Sequence, residues 1–172
     1  DRLITGTLNR QIDTLSAMGF DAAPETHAGF NEYDFADLLM ARFNGDIPDL
    51  VTGDRKAHFR TLRETVFDWQ DAAFEGASET YAAFAGRVEA ARAFACTTKA
   101  RRVLVVSSGG VIGQMTAASL GAPDRHMMHL NLQIKNTAMT RFMFSGDAFS
   151  LNEFNATPHF MQGAGKDLLS YS

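Results

Sequence analysis

The sequence predicts an α/β domain with a mainly parallel sheet flanked by helices, and three observations predict it. Val103-Leu104-Val105-Val106 is an unbroken apolar run rich in β-branched residues, the mark of a strand covered on both faces. That run lies between two helical patterns, so the chain enters and leaves the sheet through helices. The whole order reads helix, helix, strand, helix, strands over 172 residues, a length that suits one domain with one sizeable core.

Leu3 to Thr5 reads as a short strand. Thr7 is placed to cap a helix running from Leu8 to Met18, with Leu8, Ile12 and Leu15 on one face and Gly19 ending it. Residues 20–31, with Pro24, Gly29 and Asn31, read as a loop. A short apolar helix is predicted over Phe35 to Phe43, then a turn at Asn44-Gly45-Asp46-Ile47-Pro48 and an irregular stretch over 49–55. Lys56 to Asp71 reads as a helix with Phe59, Leu62, Val66 and Trp69 inward. Ser78 is placed to cap a long Ala-rich helix ending near Cys96, with Tyr81, Phe84, Val88, Ala91 and Ala95 buried. Val103 to Val106 is expected at the centre of the sheet, parallel to its neighbours, and Ser107-Ser108-Gly109-Gly110 turns it into a helix from Val111 to Leu120. After Gly121-Ala122-Pro123 the pattern changes. Residues 134–144 and 147–154 read as two strands joined at Ser145-Gly146-Asp147, and the tail from Pro158 as polar and loosely tethered.

Hydrophobic residues make up 45% of the chain and charged residues 21%, an ordinary globular balance. The formal net charge of -4 excludes a broadly basic surface, so no nucleic-acid partner is expected. No apolar run is long enough for a membrane span, and no membrane partner is expected. The lone Cys96 cannot form an intrachain disulfide and fits a reducing, cytoplasmic location. His27, His58 and His159 have no metal-ligand spacing among themselves, so neither a metal nor another cofactor is expected. His126 and His129 read as surface loop residues. Met127, Met128, Met139 and Met143 read as core or interface packing. A homodimer is left open.

Three segments carry residues suited to chemistry. At the turn after the buried strand, the first N–H groups of the following helix lack intrahelical acceptors and have the helix dipole behind them. Gly109 and Gly110 would let an anion approach that backbone closely, although the same residues also read as a plain tight turn. A dinucleotide fingerprint fails because Ser108 stands two positions before Gly110, and no G-x-S-x-G elbow surrounds Ser107 or Ser108. Arg10 lies just after a strand, where its guanidinium can bind a phosphate through two hydrogen bonds; the commoner role for such a residue is a surface arginine. Glu32 stands between aromatic residues, where partial burial favours the neutral acid able to protonate a leaving oxygen; loop glutamates are more often simply solvated.

Together and in order, these segments resemble the histidine phosphatase superfamily, whose fold is that of the phosphoglycerate mutases. Thr5-Gly6-Thr7-Leu8-Asn9-Arg10-Gln11-Ile12-Asp13-Thr14 resembles the family's S-x-L-x-R-x-x-x-T stretch, and Phe30-Asn31-Glu32 resembles its L-x-E. Ser78 to Val88 resembles its E-S-x-x-x-F-x-x-R-V helix. Val103-Leu104-Val105-Val106-Ser107-Ser108-Gly109-Gly110-Val111-Ile112 resembles V-L-V-V-S-H-G-G-V-I, and Asn155 and His159 resemble the closing N-x-x-x-H-L.

The resemblance implies a three-layer α/β/α fold with residues 33–75 as a helical cap insertion in a single domain, the cap core being Phe35, Phe43, Phe59, Phe67 and Trp69. It implies phosphate binding by Arg10, Ser108, Gly109 and Gly110, with Glu32 and Ser108 as catalytic groups. The implied activity is hydrolysis of a small phosphomonoester through a phosphohistidine, and a phosphatase fits better than a mutase. Two departures accompany it. Ser108 stands where the family carries its second catalytic histidine, and no Arg-His-Gly occurs in the chain. That nucleophile segment is expected upstream of Asp1, where the chain opens without Met and enters a strand at once. The alternative is a degenerate member that binds phosphorylated ligands or a protein partner without turnover.

Overall fold

The computed structural model describes residues 1–48, 55–160 and 163–171. The irregular stretch expected at 49–55 lies mostly outside them. The chain divides into two compact units, residues 33–87 and the remainder.

The larger unit is α/β, with a parallel sheet. Strand β1 (Arg2–Thr5) leads to helix α1 (Asn9–Ala17), a two-residue strand β2 (Glu25–Thr26) and a 3-10 turn at Ala28–Phe30. Strand β3 (Val103–Val106) leads directly to the next helix of this unit. The sheet order is β2-β1-β3 and both pairings are parallel, with Thr5 opposite Thr26 on one side and Val106 on the other. Among the described residues β1 is therefore central and β3 lies at an edge, a correction to the expected order. Val106 is buried but Val103, Leu104 and Val105 are only half-buried, so the apolar run marked a strand without marking one covered and flanked on both sides. The true centre, Arg2-Leu3-Ile4-Thr5, has only Leu3 and Ile4 as apolar signal, and Ile4 and Thr5 are fully buried.

In the other unit, α2 (Phe35–Arg42) is followed by α3 (Arg55–Gln70), and α4 (Tyr81–Cys96) begins there and ends in the larger unit. Its core joins Tyr33, Leu38, Leu39, Val66, Trp69, Tyr81 and Phe84. The Trp69 indole packs 5.5 Å from the Tyr33 ring and 5.3 Å from the Tyr81 ring, and its N–H donates to the Glu79 carbonyl. Trp69 is thus core, while Phe35, Phe43, Phe59 and Phe67 are only half-buried. The expected Ser78 cap is corrected. Ser78 donates from both N–H and hydroxyl to Asp37, and Thr80 accepts from the Ala83 amide at the helix start.

The remaining elements of the larger unit are α5 (Gly109–Ser119), α6 (Arg125–Asn131) and the hairpin β4 (Met139–Ser145) and β5 (Ala148–Ala156). His126 and His129, expected on a surface loop, lie on the α6 helix. The helix forms because Met127 and Met128 are fully buried, while His126 and His129 lie exposed on it. Gly113 lets α5 approach it: a Cβ there would stand 2.7 Å from the Met127 carbonyl oxygen. Met139 and Met143 are exposed, so of the four methionines only Met127 and Met128 pack the core. The tail is tied down by two short 3-10 turns and a bridge between Lys135 and Tyr171. No described helix is long and apolar enough to cross a membrane. Among the described residues no group of three or more His, Cys, Asp or Glu is arranged to hold a metal ion.

Candidate functional site

Two strand-to-helix turns lie side by side at the C-terminal ends of β1 and β3. The parallel register sets Thr5 against Val106, and the Gly6 amide continues the ladder by donating to the Val106 carbonyl at 3.2 Å. The chain then leaves β1 through Gly6-Thr7-Leu8 into α1, and leaves β3 through Ser107-Ser108 into α5. This pairing places the first turn of α1, with Arg10 and Gln11, beside the start of α5. The edge strand β2 adds a third arm, because the His27 amide donates to the Thr5 carbonyl at 2.9 Å and the 3-10 turn after it delivers Asn31 and Glu32.

The side chains meet there. An Arg10 Nη donates to Ser108 Oγ at 3.3 Å, and Gln11 Nε2 donates to the same oxygen at 2.9 Å. A Glu32 carboxylate oxygen accepts from the Gly110 amide at 2.9 Å. Arg10, Glu32, Ser108, Gly109 and Gly110, all singled out from sequence, thus converge although up to 98 positions separate the bonded pairs. Ser108 is the N-cap of α5 but makes no side-chain cap bond, and it is 9% exposed. Arg10 is exposed and brings the positive charge. The α5 amides add the partial positive charge of a helix N-terminus, and Glu32 is already docked on one of them.

Sequence reasoning missed the groups that hold the cluster. Gln11 is 2% exposed and spans three partners: it donates to Ser108 and to the Phe30 carbonyl, and its oxygen accepts from the Leu8 amide. Ser107 donates to the same Phe30 carbonyl at 2.8 Å. Asn31 exchanges two hydrogen bonds of 2.7 Å with Thr7, accepting from its amide and donating to its hydroxyl. That exchange occupies the Thr7 hydroxyl, and Leu8 takes the N-cap position expected for Thr7. The one signal for these residues was adjacency, since Gln11 follows Arg10 and Asn31 precedes Glu32. Thr14 donates to the Arg10 carbonyl at 2.6 Å, a brace within α1.

Asn155 and His159 brace another region. Asn155, at φ +57°, accepts from the Lys135 amide and donates to the Gln133 carbonyl, and His159 bonds the Thr137 hydroxyl.

The family model for the histidine phosphatase superfamily (branch 1) matches residues 1–157. The chain belongs to the histidine phosphatase superfamily. Solved structures with this fold include a phosphoserine phosphatase mutant from Entamoeba histolytica in complex with phosphoserine. It is 19% identical, with a TM-score of 0.63, over 92% of this chain and 75% of that one. A putative alpha-ribazole-5'-P phosphatase from Escherichia coli is 21% identical, with a TM-score of 0.63, over 91% of this chain and 73% of that one. No curated protein sequence matches. Within this superfamily the α/β fold with its parallel sheet is the one the sequence motifs implied.

Proposed function

We propose that this histidine phosphatase-family chain binds the phosphate of a small phosphomonoester at the cluster of Arg10, Ser108, Gly109 and Gly110 and takes part in its hydrolysis. One observation carries the reading: Arg10, Ser108 and Glu32 meet at one helix N-terminus, joined by the Arg10–Ser108 and Gly110–Glu32 hydrogen bonds. A guanidinium, a hydroxyl and backbone amides are the donors a phosphoryl group needs, and preorganised donors act without reorganisation as charge develops. The two solved neighbours, a phosphoserine phosphatase and a putative alpha-ribazole-5'-P phosphatase, support a small phosphate ester as the substrate class.

The nucleophile this reading calls for is the histidine of an Arg-His-Gly segment, which does not occur in the 172 residues of the chain. Its imidazole nitrogen attacks phosphorus, the ester P–O bond breaks, and the alkoxide leaves with a proton from Glu32. Water then attacks the phosphohistidine, its proton goes to the Glu32 carboxylate, and inorganic phosphate leaves. The hydrogen bond from the Gly110 amide, which holds Glu32 at the start of α5, supports this role. A second reading, a phosphate-binding member without turnover, is favoured by Ser108 alone, because a hydroxyl brings no charge where the family places a second histidine.

The test is turnover of a simple phosphomonoester by the chain carrying an Arg-His-Gly segment ahead of Asp1, beside its Ser108→His variant. Losing one preorganised oxyanion donor costs roughly a hundredfold to a thousandfold in rate, so the variant is expected to gain up to that factor. A folded variant with an unchanged or lower rate would remove position 108 from phosphoryl contact. Phosphate binding with no turnover in either protein would leave the second reading standing.

A further inference from the structure

The hydrogen bonds to Ser108 fix which way its proton points. Gln11 sets the frame. The Phe30 carbonyl can only accept and the Leu8 amide can only donate, and Gln11 lies between them, with Nε2 2.8 Å from the first and Oε1 3.3 Å from the second. Reversing the Gln11 amide would set two acceptor oxygens against each other at Phe30 and two donors at Leu8, so its orientation follows from its partners. The second Nε2 hydrogen then points at Ser108 Oγ, 2.9 Å away. Arg10, which has no acceptor, donates to the same oxygen at 3.3 Å.

A hydroxyl oxygen has two lone pairs and one hydrogen. At Ser108 both lone pairs are taken by Gln11 and Arg10, and the hydroxyl makes no cap bond to its own helix. Its hydrogen has no acceptor among the described residues. A nearly buried hydroxyl with an unspent hydrogen is incomplete until an acceptor arrives.

We infer that Gln11 is a positioning residue that makes Ser108 an obligatory hydrogen-bond donor to a phosphate oxygen, and that Ser108 is not a nucleophile. An attacking oxygen needs a free lone pair and a base to take its proton; Ser108 has its lone pairs occupied by a cation and an amide. Gln11 and Ser108 together thus present one directed O–H at the position where a histidine would present one N–H. The inference deepens the phosphate-binding reading and rests on it.

The experiment is a double-mutant cycle on the affinity for inorganic phosphate, by calorimetry, using Ser108→Ala, Gln11→Met and the double variant. Deleting a hydrogen bond to a charged group weakens binding about ten- to hundredfold. Each single variant is expected to lose that much, and the double variant no more than either single, because both remove the same donor. Losses that multiply in the double variant would show Gln11 acting independently of Ser108 and overturn the inference. So would wild-type affinity in Gln11→Met while Ser108→Ala is weakened; the phosphate site itself would survive that result. Unchanged affinity in Ser108→Ala, or no phosphate binding by the unsubstituted chain, would overturn the phosphate reading and this inference with it. Should Gln11→Met fail to fold, the side-chain amide cross-peaks of Gln11 carry the test. Ser108→Ala should shift one of its two protons and speed its exchange, and cross-peaks indifferent to Ser108→Ala would overturn the proposal. A phosphoserine at position 108 trapped from a phosphomonoester would also refute it.

Discussion

Gly6→Ala is a sensitive probe of the cluster, because the glycine's missing side chain is what makes room for Gln11. A Cβ at Gly6 would stand 1.9 Å from Gln11 Oε1 and 2.6 Å from Asn31 Oδ1. Gly6 is not among the glycines with positive φ, so the backbone tolerates alanine and the cost is steric. Gln11 cannot yield freely, since its amide is bonded to Leu8, Phe30 and Ser108. Displacing it breaks up to three hydrogen bonds, two of them buried, at about 0.5–1.5 kcal/mol net each, so the expected loss is about 2–4 kcal/mol. For a domain of this size that corresponds to a fall in Tm of about 4–16 °C. The assay is urea unfolding with the midpoint and slope fitted separately. The control is the same change in a Gln11→Ala background, where the clashing oxygen is gone and most of the added cost should vanish. A loss under about 0.5 kcal/mol for Gly6→Ala, in the range of ordinary surface changes, would refute the steric account. Equal losses in the two backgrounds would refute the part assigned to Gln11.

Two further outcomes follow from the structure. Gly113→Ala should destabilise the fold by about 1–3 kcal/mol by overpacking, because its Cβ would press on the α6 backbone at the Met127 carbonyl and the Asn131 amide; thermal unfolding reads this, and an unchanged Tm would contradict the close approach of the two helices. Burial pushes the Cys96 thiol up, against an opposing pull from Arg92, so the thiolate is scarce at neutral pH and alkylation by iodoacetamide should run slower than for a free thiol, rising as pH is raised through the displaced value; alkylation at the free-thiol rate at pH 7 would contradict it.

The sequence showed most of the elements and hid their arrangement. Strand β3 and the β4–β5 hairpin were legible from apolar runs and turn residues, and α3 from its periodicity. Short elements were not. Helix α6 is about two polar-looking turns whose two buried methionines sit between exposed histidines, and β2 is two polar residues, Glu25 and Thr26, made a strand only by pairing with β1. Capping was misassigned at both Thr7 and Ser78 for one reason. Each hydroxyl is engaged by a residue distant in sequence, Asn31 for the first and Asp37 for the second, and local sequence carries no trace of such partners.

The candidate site divides along the same line. Arg10, Glu32 and Ser108 were visible because a charge or a small residue beside a turn has chemical meaning by itself. Gln11 was not, because an amide acquires its role only from what surrounds it. The two halves depend on each other. A histidine at position 108 would carry its own directed N–H, whereas a serine hydroxyl rotates and points wherever an acceptor lies. In this fold the rotation is stopped from outside, by a glutamine whose own orientation is dictated by a carbonyl at Phe30 and an amide at Leu8. Those two backbone groups belong to the arms that follow β2 and β1, and β1 is the strand that pairs with β3. The direction of one hydroxyl bond at Ser108 is therefore set by the register of the three-stranded sheet, and it is a property of the tertiary fold that no segment of the sequence contains.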